Sequence, residues 1–205
     1  SEPNGAPQNV IGQNSSSTSI LVTWDEVLAD KQNGIITGYT IIYQSQTENN
    51  NGSVLVGAND RQKNLTELKE YVNYNITVFA STVKGNGPAN DPVVVVRTDQ
   101  DKPDGAPQNV IGQNSSSTSI LVMWDEVPGD KQNGIITVYT ITYRSQTEND
   151  DGSVLVGAND RQKNLTELKE YVNYNIKVFA STVKGNGPAN DPVIVVRTDQ
   201  DSKSF

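Results

Sequence analysis

Short stretches in which apolar and polar residues alternate run along the whole chain. Alternation with a period of two is typical of strands that bury one face, whereas glycine, asparagine, proline and β-branched residues interrupt every stretch long enough for a helical stripe. The predicted strands of the first hundred residues cover 8–12, 19–24, 39–43, 53–57, 62–68, 74–80 and 93–98. Turn residues separate them, as at Asn33-Gly34, Asn51-Gly52 and Gly85–Pro88. The residues predicted to face inward are Ile20, Val22, Trp24, Tyr39, Ile41, Tyr43, Tyr74, Ile76, Val78 and Ala80.

The same pattern occurs twice. Residues 5–100 recur as 105–200, and the pairs that differ are Thr23/Met123, Leu28/Pro128, Ala29/Gly129, Gly38/Val138, Ile42/Thr142, Gln44/Arg144, Asn50/Asp150, Asn51/Asp151, Thr77/Lys177 and Val94/Ile194. A period of about one hundred residues calls for one independently folding domain per copy. We therefore predict two domains, over residues 1–100 and 101–205, joined by a short acidic junction with two prolines at residues 98–107.

About seven short strands per copy, separated by turns, predict an all-β fold of two tandem seven-stranded antiparallel sandwiches. The order of Pro7, Trp24, the Tyr39-x-Ile41-x-Tyr43 strand, Leu68 six residues before Tyr74, and the closing Val96–Thr98 segment resembles the fibronectin type III domain, an immunoglobulin-like sandwich. The resemblance covers nearly the whole of each copy. It implies that strands A, B and E face strands C, C′, F and G.

The resemblance also implies structural roles for four aromatic residues. Trp24 and Trp124 end the second strand of each domain and are expected in the core. Tyr74 and Tyr174 are expected to form tyrosine corners, in which the hydroxyl reaches back to backbone near Leu68 or Leu168.

Differences between the copies test the strand phase. Five of them fall at predicted outward positions, namely residues 23, 38, 42, 44 and 77 and their counterparts. The Val94/Ile194 difference is placed inward, where one methylene costs about 1 kcal/mol. The other differences fall in predicted loops.

Composition limits the function. The 205 residues include no cysteine and no histidine, which excludes disulfides, thiolate nucleophiles and the commonest general base. The acidic pairs Asp25-Glu26 and Asp125-Glu126 point to opposite sides of a strand end, so they cannot flank one substrate bond. We expect no enzyme activity and no cofactor. The net charge of −8 argues against nucleic-acid partners, and no apolar run is long enough for membrane insertion by this segment.

One outer sheet face is a candidate contact surface. Ile42, Phe79, Val93 and Val95 form an apolar stripe there in the first copy, and Phe179 is its counterpart in the second. Single exposed apolar residues covered by long polar neighbours are the competing interpretation. The partner, a protein or a second copy of the chain, is not identified by the sequence. The loop at residues 83–89 lacks the Arg-Gly-Asp triplet through which some such domains bind integrins.

Two further features are candidate sites. N-glycosylation triplets begin at Asn14, Asn51, Asn64, Asn75, Asn114 and Asn164. Asp99, Asp101 and Asp104 in the junction could attract calcium, but three carboxylates are too few for a site and solvated charge is the favoured interpretation.

These observations favour a non-catalytic spacer and protein-interaction segment of a longer extracellular or cell-surface protein. Adhesion receptors and receptor-type tyrosine phosphatases carry ectodomains of the kind that this chain resembles. The alternatives are an accessory linker module of a secreted enzyme and a repeat of an intracellular filament protein. The short junction with its prolines further predicts a semi-stiff connection between the domains.

Overall fold

The computed structural model describes residues 1–47, 49–147 and 149–200. The chain divides into two compact units, Ser1–Asp99 and Gln100–Phe205, each with its own hydrophobic core.

The first unit is a β-sandwich with one short 3₁₀ turn at Ala29–Lys31. Its strands are β1 (Gln8–Ser16), β2 (Ser19–Asp25), β3 (Gly38–Ser45), β4 (Asn51–Gly57), β5 (Gln62–Leu65), β6 (Asn73–Thr82), β7 (Gly85–Ala89) and β8 (Val94–Arg97). One sheet has the order β1-β2-β5, and the other has the order β4-β3-β6-β7, with β8 also paired to β6. All pairings are antiparallel. This is the predicted division of strands A, B and E from C, C′, F and G.

The second unit repeats this architecture, with a 3₁₀ turn at Gly129–Lys131. Its strands are β9 (Gln108–Ser116), β10 (Ser119–Asp125), β11 (Val138–Ser145), β12 (Asp151–Gly157), β13 (Gln162–Leu165), β14 (Asn173–Thr182), β15 (Gly185–Ala189) and β16 (Ile194–Arg197). The sheets have the orders β13-β10-β9 and β12-β11-β14-β15, with β16 beside β14.

The core lies between the two sheets of each unit. The predicted inward residues of β2, β3 and β6 are buried, and only Tyr43 lies at the margin, packed against the cluster. Val94 and Ile194 also pack against their cores from an inward position. Burying each Val, Ile or Leu side chain contributes about 1.5–3 kcal/mol, so the period of two along these strands carries most of the driving force for the fold.

Four expectations were wrong. Asn51 and Gly52 are not a turn but the first two residues of β4. Residues 85–88 are not a turn but belong to β7, and the turn is confined to Val83 and Lys84. The last strand position is divided, because β7 ends at Ala89 and β8 begins at Val94, although Asn90 N still donates to Val78 O of β6 at 3.1 Å. Gly38, placed outward from the sequence, is buried. A Cβ at Gly38 would lie 2.6 Å from Val56 O and 3.6 Å from Leu55 Cδ1, so the neighbouring strand β4 covers this position. Val138, its counterpart, is half-buried.

Candidate functional site

A tryptophan–tyrosine–arginine stack lies at one side of each core. Trp24 is buried with its ring 5.6 Å from that of Tyr39, and the Arg61 guanidinium lies 5.3 Å from the Tyr39 ring centre. Burial raises the pKa of Tyr39 above its ordinary value of 10.0, although the nearby Arg61 opposes this. The indole Nε1 of Trp24 finds no acceptor among the described residues, so the ring stabilises the fold by packing. Trp124 occupies the equivalent place in the second unit.

Each tyrosine hydroxyl expected at a corner joins two loops. The Tyr74 hydroxyl accepts a hydrogen bond from Lys69 N at 2.9 Å and donates to Asn50 Oδ1 at 2.7 Å. The Tyr174 hydroxyl accepts from Lys169 N at 2.9 Å and donates to the Asp150 carboxylate. The backbone partner is therefore the residue after Leu68 or Leu168. The second partner, an amide in one unit and a carboxylate in the other, is one of the ten differences between the copies.

The adjacent acidic residues are engaged in separate interactions. Asp25 Oδ2 accepts a hydrogen bond from Asn9 Nδ2 at 2.7 Å, whereas Glu26 Oε2 lies 3.3 Å from Arg61 Nη2. Asp125 and Glu126 have the same partners in the second unit. The two carboxylates of a pair thus face different neighbours and do not converge on one point.

The candidate contact face is the outer surface of β3, β4 and β6. Strand register arranges its side chains in three cross-strand rows, which are Leu55-Thr40-Phe79, Ser53-Ile42-Thr77 and Asn51-Gln44-Asn75. None of these nine side chains is charged. Ile42 and Phe79 are half-buried and Leu55 is 75% exposed. Val95 lies opposite Asn75 at the adjoining strand and is 56% exposed. The structure therefore brings Ile42, Phe79 and Val95 onto one face.

Leu55 also belongs to this face, although it was not among the predicted contact residues. Residues 53–57 were predicted as a strand, and the alternation of Val54 and Val56 with Leu55 already places Leu55 outward. That alternation was the signal for Leu55, and the register of β4 against β3 places it in the row of Thr40 and Phe79.

The same face of the second unit carries charge. Its rows are Leu155-Thr140-Phe179, Ser153-Thr142-Lys177 and Asp151-Arg144-Asn175. Arg144 Nε lies 3.5 Å from Asp151 Oδ2, and both side chains are well exposed, so this ion pair contributes little stability. Phe179 therefore lies in a more polar setting than Phe79, although the residue itself is unchanged.

The six candidate glycosylation asparagines fall into three groups. Asn14 Nδ2 donates to Asp99 Oδ1 at 2.6 Å, and Asn114 Nδ2 donates to Asp199. Asn64 and Asn164 are exposed and accept hydrogen bonds from Ser15 and Ser115 through Oδ1. Asn51 and Asn75, which have no triplet in the second copy, both lie on the uncharged outer face.

Neither the junction nor the rest of the described chain assembles a metal site. Within residues 1–47, 49–147 and 149–200, no three acidic side chains come together as metal ligands would. Asp99 is engaged by Asn14, and Asp101 accepts a hydrogen bond from the backbone N–H of Lys102. Among the residues that the structure describes there is also no helix long and apolar enough to cross a membrane.

Comparison with known proteins identifies the sandwich. The family profile of the fibronectin type III domain matches residues 5–96 and 105–196. Receptor-type tyrosine-protein phosphatase F of Bos taurus is 32% identical over 206 residues, which are 97% of this chain and 11% of the relative. Protein sidekick-1 of Gallus gallus is 35% identical over 199 residues, which are 95% of this chain and 9% of the relative. The chain thus spans about a tenth of the length of these relatives.

A crystal structure of chicken CNTN1 FN1–FN3 domains aligns with a TM-score of 0.48 and 25% identity, and covers 98% of this chain and 68% of that one. The relatives confirm the extracellular or cell-surface location that the sequence predicted.

Proposed function

The chain belongs to the fibronectin type III family, and on that premise we propose that its two domains form a non-catalytic spacer and interaction segment of a longer cell-surface protein. An extracellular or cell-surface location disfavours the intracellular filament alternative. The separate engagement of Asp25 and Glu26 supports the non-catalytic part of the proposal, because paired carboxylates act in catalysis only when both face one substrate bond.

The observation that carries the spacer role is the path of the chain through each unit. Thr82 Oγ1 donates to Ser1 O at 3.0 Å at one end of β6, while Tyr71 N donates to Asp99 O at 3.0 Å beyond the other end. In the second unit Thr182 and Tyr171 hold Asp101 and Asp199 in the same way. A ten-residue strand spans about 30 Å, so each unit adds about that length between its entry and its exit.

Solution scattering tests the spacer role. A single compact body of this length would have a radius of gyration of about 17 Å. The proposal predicts a clearly larger radius for the full chain at low protein concentration, and a longer maximum dimension than either unit has alone. A radius near the compact value would refute the spacer role.

We place the interaction role on the outer face formed by Ile42, Phe79 and Val95, with Leu55 added by the structure. The face of the first unit is uncharged in a chain whose net charge is −8, so a second copy could approach it without meeting like charges. Phe179 occupies the equivalent position in the second unit, where the charged side chains of Arg144 and Lys177 favour hydration of the face. We therefore expect contacts through the first unit to be the stronger.

Paired substitutions test this contact. Phe79→Ser should weaken concentration-dependent association of the unglycosylated full chain in sedimentation equilibrium, and Phe179→Ser should change it much less. The control removes the same side chain from the same sheet position, so a general effect on the fold would appear in both. Equal behaviour of the two variants and the parent protein would refute the contact face.

A further inference from the structure

The same outer sheet face is uncharged in the first copy and carries charged side chains in the second. Of the nine outer-face positions, Asn51/Asp151, Gln44/Arg144, Thr77/Lys177 and Ile42/Thr142 differ between the copies. Every one of these four pairs has its more polar or charged member in the second unit, whereas Gly38/Val138, one row further along the same strands, differs in the opposite direction. The remaining five positions are identical. The first face therefore lacks the charges that the second unit uses for solvation.

Two of those four differences also decide whether an N-glycosylation triplet exists. Asp151 in place of Asn51 removes the acceptor asparagine, and Lys177 in place of Thr77 removes the hydroxyl residue that follows Asn75 by two. The same substitutions that add charge to the second face thus remove both of its triplets. Asn64 and Asn14, whose triplets persist as Asn164 and Asn114, lie outside this face.

From this we infer that the outer face of the first unit carries N-linked glycans at Asn51 and Asn75, which solvate the surface that the second unit solvates with charged side chains. A glycan is bulky and hydrophilic, and it would cover the apolar groups beside its attachment point. Val95, 56% exposed opposite Asn75, and the half-buried Ile42 between the two triplets are the apolar groups nearest to the proposed glycans.

The geometry of the two asparagines fits this modification. Asn51 is exposed at the first residue of the edge strand β4 and binds Ser45 N through Oδ1 at 2.8 Å. Asn75 is half-buried on β6, between β3 and β8, and accepts a hydrogen bond from Gln46 Nε2 through Oδ1 at 2.7 Å. In both, no described residue accepts a hydrogen bond from Nδ2, the atom that becomes the glycosyl amide nitrogen. Asn14 and Asn114 differ, because a glycan there would disturb the Nδ2 bond to an aspartate.

The covalent step is the ordinary one for this class of modification. The asparagine Nδ2 forms a bond to the anomeric carbon of an oligosaccharide supplied on a lipid pyrophosphate, the anomeric carbon–phosphate oxygen bond breaks, and one amide proton is lost. The reaction rests on the cell-surface location in the proposed function, because the donor and the transferase act in the secretory pathway. No group of the protein itself performs the transfer.

The glycans would restrict the proposed contact without removing it. The row of Leu55, Thr40 and Phe79 lies four residues along each strand from the row of Asn51, Gln44 and Asn75, about 13 Å away. Contacts of the modified chain are then confined to the Leu55 and Phe79 end of the face. The unmodified chain presents the whole face.

Glycopeptide mass spectrometry on the full chain secreted from animal cells tests the inference. We expect glycans at Asn51 and Asn75, each lost in Asn51→Gln or Asn75→Gln. Occupancy of Asn64 and Asn164 serves as an internal standard for transfer in that host, because both copies share this triplet. Absence of glycan from both Asn51 and Asn75 would overturn the inference, and it would leave the contact and spacer tests unaffected.

A converse pair of variants keeps the test independent of folding defects. Asp151→Asn and Lys177→Thr recreate both triplets on the second unit, and the inference predicts two additional glycans there. In unglycosylated protein, Asn51→Asp with Thr77→Lys should lower self-association about tenfold, because an aspartate and a lysine on each face would have to lose water on contact. Failure to gain glycans in the second unit, or association unchanged by the added charges, would show that the two kinds of solvation are not interchangeable.

Discussion

Removal of the corner tyrosine hydroxyls gives the sharpest test of the packing described above, because the two units differ in one partner. Tyr74→Phe and Tyr174→Phe each keep the buried ring and delete one oxygen. In both units the backbone N–H of the residue after Leu68 or Leu168 loses its acceptor. In the first unit an amide oxygen loses its donor, whereas in the second a carboxylate does.

The magnitude follows from these partners. Two neutral hydrogen bonds at about 1 kcal/mol each give about 2 kcal/mol for Tyr74→Phe. A hydrogen bond to a charged group contributes about 1.5–3 kcal/mol, so Tyr174→Phe should cost about 3 kcal/mol. The difference of about 1 kcal/mol comes from the exchange of Asn50 for Asp150. Accordingly, Asn50→Asp should raise the cost of Tyr74→Phe toward the value of the second unit.

Urea denaturation of the two units, expressed separately, provides the measurement. Each unit has its own core and one buried tryptophan, Trp24 or Trp124, whose fluorescence reports unfolding of that unit alone. A loss below about 0.5 kcal/mol for both variants would show that water replaces the hydroxyl, and the description of the corner would be wrong. Equal losses in the two units would refute the role assigned to the carboxylate.

Three further outcomes are expected. Tyr71 has a φ of 56°, and its ring lies 4.8 Å from the Arg97 guanidinium. Tyr71→Gly and Tyr71→Ala both lose the ring contact, but only glycine adopts this backbone without strain. In urea denaturation, Tyr71→Gly should therefore be more stable than Tyr71→Ala by about 1 kcal/mol. Gly12→Ala should cost about 1–3 kcal/mol, since its Cβ would lie 2.4 Å from Val96 Cγ2, and Val96→Ala in the same chain should recover part of that loss. Burial raises the pKa of Tyr39 and Tyr139. The contribution of these tyrosines to the free energy of unfolding should therefore be constant below about pH 10 and decrease as the pH rises from there through their folded-state pKa values. In alkaline denaturation of the first unit, Tyr39→Phe should make this decrease smaller.

The strands and the core could be predicted because burial repeats with a period of two in β2, β3 and β6, and a slip of one residue would expose every apolar side chain. Strand β7 could not, because Gly85, Gly87 and Pro88 are turn formers whose pairing depends on the hairpin with β6. Gly38 was misplaced because its burial comes from neighbours rather than from its own side chain. The backbone partner of the Tyr74 hydroxyl was expected near Leu68, but its second partner could not be foreseen, since Asn50 lies 24 residues away in the sequence.

The outer face was only partly predictable for a related reason. Ile42, Phe79 and Val95 could be assigned to it from strand phase alone. That Asn51 and Asn75 lie in one row of the same face depends on the register of β3 with β4 and β6, which alternation within a strand does not determine. The lost triplets and gained charges can be read from the sequence, but their position on one face follows only from this register.

An NMR dilution series of the unglycosylated full chain tests most directly whether the first unit carries the contact face. Substitutions near residues 42, 44 and 77 give the two faces distinguishable amide signals. We predict concentration-dependent shifts in the rows containing Ile42 and Phe79, with the signals of Thr142, Lys177 and Phe179 nearly constant. Shifts of equal size in both units, or none in the first, would contradict this prediction.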